Sequence, residues 1–144
     1  MRPIVVSRSI KAPVDRVFQT VAHIENFSRA VPRVVKYEIL SSIQTGVGTR
    51  FRETSRMNGK EQTTELEVTE YVPNDHVRMV ADSHGVIWDS VFTVKPEQDH
   101  TALTCAMDAR AYKFLPKLMY PLMYKMIAKA VATDMDSVKE FCEK

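Results

Sequence analysis

Ile4-Val5-Val6-Ser7-Arg8-Ser9-Ile10-Lys11-Ala12-Pro13-Val14-Asp15-Arg16-Val17-Phe18 decides how this 144-residue chain begins to fold. The first half is rich in β-branched residues and sets Ile4, Val6 and Ile10 on one face of a strand. Ala12-Pro13 ends that strand, and Pro13 suits the opening turn of a helix because its fixed φ and missing N–H cost nothing there. Val14, Val17, Phe18 and Val21 then follow at helical spacing, which predicts a short amphipathic helix to about Ala22. A second short helix is expected from Ile24 to Ala30, closed by Pro32.

Beyond Pro32 the punctuation changes. All four glycines fall between Val34 and Tyr112, and turn signals recur there at strand-length intervals. Gln44-Thr45-Gly46-Val47-Gly48, Asn58-Gly59, Pro73-Asn74-Asp75, His84-Gly85 and Pro96-Glu97-Gln98-Asp99 each mark a hairpin. Asn58-Gly59 is the strongest, since both residues tolerate the positive φ of a tight two-residue turn. Five turns imply six strands, seven with the opening one. Alternation gives each strand a dry face: Leu66 and Val68; Val77, Met79 and Ala81; Trp88, Ser90, Phe92 and Val94; Leu103, Cys105, Met107 and Ala109.

No glycine follows Tyr112, and Leu115 to Phe141 reads as one long helix with Leu118, Met119, Leu122, Met126, Ala130 and Val131 among its apolar positions. About 26 residues at 1.5 Å each span roughly 40 Å, enough to cross a small domain. Pro116 belongs to the first turn, whereas Pro121 lies deeper and is expected to kink the helix or divide a leading turn from its body.

Composition narrows the function classes. With 44% hydrophobic and 26% charged residues, residues 1–144 read as one ordinary globular domain, neither disordered nor fibrous. A net charge of +2 without a basic block speaks against nucleic acid as a partner. No apolar stretch reaches the roughly 20 residues of an integral membrane span, and no signal-peptide core follows Met1-Arg2-Pro3, so a cytoplasmic location is expected. Cys105 and Cys142 lack zinc-site spacing and are expected as buried or half-buried free thiols. His23, His76, His84 and His100 are scattered, so neither a metal nor a cofactor is expected. The chain also lacks a Gly-x-Ser-x-Gly elbow and a phosphate-binding glycine loop.

The order strand, two short helices, six antiparallel strands and a long final helix resembles the START-like or SRPBCC superfamily. Ile10-Lys11-Ala12-Pro13-Val14-Asp15-Arg16-Val17-Phe18 is similar to the family's opening signature, Ile24-Glu25-Asn26-Phe27 to its second helix, and Gly46-Val47-Gly48-Thr49-Arg50-Phe51 to its third-strand entry. The likeness is greatest to the polyketide cyclase/dehydrase and lipid-transport branch. It implies an α+β helix-grip fold: a seven-stranded antiparallel sheet wrapped around the long C-terminal helix, with two short helices between strands 1 and 2. It also implies a cavity between sheet and helix that binds or transports a hydrophobic, lipid-like or polyketide-like molecule. The alternative is a polyketide aromatase/cyclase or dehydratase-like enzyme that uses polar cavity residues.

On that architecture the ligand-binding candidates are Met79, Trp88, Ser90, Phe92 and Met107 on the strands, with Leu115, Leu118, Met119, Leu122, Met123 and Met126 on the helix. Methionine walls adapt to ligand shape, although the same spacing is what a plain core would show. Arg8 and Glu53 have inward strand parity and are expected to enter the interior, holding one another or a polar ligand head. They are also the candidate catalytic pair. Asp89 and Arg110 have the opposite parity and are expected to face solvent, while Tyr112 and Tyr120 are candidates for the mouth. A homodimer is left open.

Overall fold

The computed structural model describes residues 2–144. Strand β1 (Ile4–Ile10) leads through Pro13 into helix α1 (Val14–Ala22) and helix α2 (Ile24–Ala30). Six strands follow: β2 (Val34–Ile39), β3 (Arg50–Met57), β4 (Lys60–Val72), β5 (His76–Ser83), β6 (Val86–Glu97) and β7 (His100–Ala111). Helix α3 (Phe114–Cys142) ends the chain. The strands form one antiparallel sheet in the order β1-β7-β6-β5-β4-β3-β2, so the first two strands in sequence lie at opposite edges. This is the helix-grip architecture expected from the sequence.

The turns explain the sheet. Asn58 and Gly59 have φ of 53° and 78°, and His84 and Gly85 have 53° and 83°, the paired positive values that suit two-residue hairpins between twisted strands. Register shifts beside Val34 and Val68 insert irregularities that bend β2 and β4. On the inner face Ile4, Ile10, Val77 and Leu103 are buried, and they meet Val17, Phe18 and Val21 of α1 and Met135 and Val138 of α3.

The second half of α3 is tied to β1. Arg8 Nε donates to Asp136 Oδ1 at 2.6 Å, Lys139 Nζ donates to the Ser9 carbonyl at 2.7 Å, and the Lys11 amide donates to Glu143 Oε2 at 2.8 Å. Of the two outcomes expected at Pro121, a kink or a division, the division is excluded: α3 runs as a single helix through it. Pro121 forfeits one backbone hydrogen bond, to the Lys117 carbonyl, and one lost bond does not end a helix that packs along its length.

Candidate functional site

The inner face of the sheet, α1, α2 and the second half of α3 enclose a hollow of about 110 Å³. Alternation brings Phe51, Leu66, Met79, Phe92, Cys105 and Met107 into it from successive strands. Val21, Ile24 and Phe27 close one side, held there by an elbow whose His23 Nε2 lies 3.1 Å from Tyr71 Oη on β4. The Phe18 ring meets Tyr71 edge-on at 5.3 Å, and Phe27 tilts against Phe92 at 6.0 Å. From α3 the wall is Val131, Asp134, Met135 and Val138, spaced three, four and seven residues from the first.

Polar side chains interrupt this apolar wall at Ser90 and at a group of three charged residues. Arg33, in the turn between α2 and β2, grips Asp134 with both arms: Nε donates to Oδ1 at 3.0 Å and Nη2 to Oδ2 at 2.6 Å. Glu53 alternates with the buried Phe51 on β3 and lines the same space. Among the described residues its carboxyl has no hydrogen-bond or ion-pair partner. Burial pushes the Glu53 carboxyl above its ordinary value of 4.5; the Arg33 cation opposes this, and the Asp134 charge adds to it. For Arg33, burial works against the cation, but the hydrogen bond and charge of Asp134 outweigh it, with help from Glu53, and its pKa is raised.

Two carboxyls and one guanidinium balance electrically when one carboxyl keeps its proton. Asp134 has both oxygens engaged by Arg33, so of the two carboxyls Glu53 is the one whose hold on a proton is strengthened. A neutral carboxylic acid in an apolar wall can donate a hydrogen bond to a ligand oxygen, and its ionised form can accept a proton. Among the described residues no three His, Cys, Asp or Glu side chains gather as metal ligands would. The Cys105 thiol also lines the hollow, but burial and then the Asp134 charge push it up to about 12, so it is no nucleophile.

Of the residues singled out from sequence, Glu53, Met79, Ser90, Phe92 and Met107 meet at the hollow. The pairing of Arg8 with Glu53 is corrected. Arg8 does have inward parity, but it sits on the edge strand, where Asp136 of α3 takes its guanidinium. Trp88 is on the inner face yet outside the hollow, tilted 6.0 Å from Tyr120 in a small cluster with Val86 and Ala109. Tyr120 is therefore buried packing, and Tyr112 is exposed, its hydroxyl donating to Asp82 at 2.6 Å.

Leu115, Leu118, Met119, Leu122, Met123 and Met126 are corrected as well: none lines the hollow, and Leu115 and Leu122 are 65% and 78% exposed. The buried face of α3 runs instead through Tyr120, Tyr124, Ile127, Val131, Asp134, Met135 and Val138. Both faces of the first half are apolar, so periodicity could not choose between them. Asp89 faces outward as expected, gripped by Arg78 through Nε at 2.9 Å and through Nη2. Arg33 and Asp134 were missed. The available signal was an acid at position 134, in register with Val131 and Val138 on an otherwise apolar stripe.

Solved structures share this fold. A Thermus thermophilus protein matches with a TM-score of 0.80 at 18% identity, over 96% of this chain and 95% of its own. The Zhui aromatase/cyclase of a Streptomyces species gives 0.79 at 17%, over 99% and 93%. A START superfamily protein of Mycobacterium smegmatis gives 0.75 at 14%, over 96% and 97%. At such identities the likeness is one of fold. No curated protein matches the sequence. The sequence model described as polyketide cyclase/dehydrase and lipid transport, however, aligns with residues 1–143, carrying the opening signature, the inward-facing strands and the α3 stripe together. The chain thus belongs to the polyketide cyclase/dehydrase and lipid transport family.

Proposed function

We propose that the protein binds a largely apolar small molecule bearing one polar oxygen group, such as a lipid-like or polyketide-like compound, and sequesters or carries it in the hollow beneath α3. The observation that carries this reading is the Glu53 carboxyl, without a hydrogen-bond partner among the described residues, in a mostly apolar wall beside the Arg33–Asp134 pair. An isolated acid at such a position costs stability and is kept where a ligand uses it. The resting hollow of about 110 Å³ is smaller than common ligand pockets, so the flexible Met79, Met107 and Met135 side chains and the half-buried Phe27 must shift to admit the ligand.

Calorimetric titration with dodecanoic acid and with 1,8-dihydroxyanthraquinone tests the reading. Saturable 1:1 binding of either is expected, lost in Ser90→Leu, which fills the hollow, and weakened about tenfold in Glu53→Ala, which removes the polar anchor. Failure of both probes to bind, or binding indifferent to Ser90→Leu, overturns it.

A second reading rests on the raised proton affinity of Glu53. A carboxyl with raised proton affinity can, in its protonated form, donate to a carbonyl or hydroxyl of a folded polyketone chain, as aldol cyclisation and dehydration require. The Zhui relative is an aromatase/cyclase by name. Incubation with a poly-β-ketone thioester analogue, followed by absorbance and mass, should show ring closure or loss of water that Glu53→Gln abolishes. Turnover unchanged by Glu53→Gln sinks this version.

A further inference from the structure

The first half of α3 is apolar on the side that nothing covers. Phe114 is 81% exposed, Leu122 78%, Leu115 65% and Leu118 58%, with Met119 and Met123 beside them. These side chains share the face opposite Tyr120 and Ile127, which pack on the sheet. Such a face on a helix of roughly 20 Å exceeds scattered surface hydrophobics and marks contact with something.

The charges say with what. Between Asp108 and Asp134 every charged residue is basic: Arg110, Lys113, Lys117, Lys125 and Lys129. The four lysines are exposed, and among the described residues none is paired with an acid. Asp82, an acid beside the start of this segment, is bonded by Tyr112. Past Asp134 the charges are mixed, with Asp136, Glu140 and Glu143 against Lys139 and Lys144. The basic half is also the half free of ties to the edge strand, apart from Tyr124 Oη donating to the Pro3 carbonyl at 3.0 Å.

We infer that the first half of α3 docks the protein on an anionic lipid surface, lying in the headgroup plane with Phe114, Leu115, Leu118 and Leu122 immersed and the lysines against lipid phosphates and carboxylates. An exposed apolar helix face bordered by uniformly positive charge has the two attractions that interfacial helices combine. A second copy of this chain would set like charges against one another across the contact. No helix among the described residues is long and apolar enough to cross a membrane, so the helix lies on the surface. The inference is independent of what occupies the hollow.

Sedimentation with vesicles tests it, using phosphatidylcholine alone and phosphatidylcholine with roughly 30% phosphatidylserine. Binding to the anionic vesicles and its loss on raising salt are expected. Lys117→Gln with Lys125→Gln should weaken partitioning about 25-fold, and Leu118→Ser with Leu122→Ser more than tenfold. All four positions are solvent-exposed, and unchanged melting of the variants separates lost docking from lost folding. No binding to anionic vesicles, equal binding to neutral ones, or a concentration-dependent dimer that Leu118→Ser with Leu122→Ser dissolves would each overturn the inference.

Discussion

Asp134 sets the charge balance of the hollow, because both of its oxygens neutralise Arg33 and its own charge raises the proton affinity of Glu53. Asp134→Asn should cost about 2 kcal/mol in urea unfolding, less than the roughly 3–5 kcal/mol of a broken buried pair, since Glu53 can take over as counter-ion. In that variant Glu53 should also ionise more readily, readable by carboxyl-region NMR titration. A second prediction concerns pH. Because the folded Glu53 pKa lies above its unfolded value, the native state holds more protons, and this residue's contribution to stability falls as pH rises from 4.5 through the folded value. Glu53→Gln should therefore be more stable than wild type at pH 7, the advantage vanishing near pH 4 and below. Equal unfolding free energies at both pH values would refute it. Glu53 was legible in the sequence because strand parity with Phe51 fixes its direction. Arg33 was not, since a turn between helix and strand has no period to read, and Asp134 is masked by acids and bases on neighbouring faces of α3.

The elements were legible wherever backbone chemistry speaks locally. Each expected hairpin exists, α1 begins just after Pro13, and α2 ends at Ala30, ahead of Pro32. What sequence could not give was the rotation of α3, whose first half offers two apolar faces and so leaves the choice to packing. Two glycines allow a graded test. A Cβ at Gly59 meets nothing within 4 Å, so Gly59→Ala should cost only the backbone strain of its positive φ, about 1 kcal/mol. A Cβ at Gly85 would lie 2.8 Å from Lys113 Cβ, at the point where α3 leaves the sheet and the Tyr112 amide donates to the Gly85 carbonyl at 2.9 Å. Gly85→Ala should lower stability by about 2–3 kcal/mol and shift the approach of α3. Equal melting temperatures for the two variants would contradict this ranking.

Across the whole molecule the two cysteines report on opening, because Cys105 lies on β7 beneath the hollow and Cys142 closes α3, both buried. With Cys105 pushed up to about 12 and Cys142 also raised by burial, iodoacetamide at pH 8 should modify neither in the native state and both in denaturant. Rapid native labelling of Cys105 would mean that the sheet and α3 part readily. The order of strands carries one more consequence. Among the described residues the only strand partner of β1 is β7, with Ile10 opposite Thr101, and the same edge anchors the far end of α3. A chain emerging from the ribosome must hold its first strand unmatched while the next 91 residues are made, 101 less 10, which at 5–20 residues per second is roughly 5–18 s. During that interval Ile4, Val6 and Ile10 are a greasy, unclaimed ribbon, so the cell's holding chaperones have their natural foothold at β1.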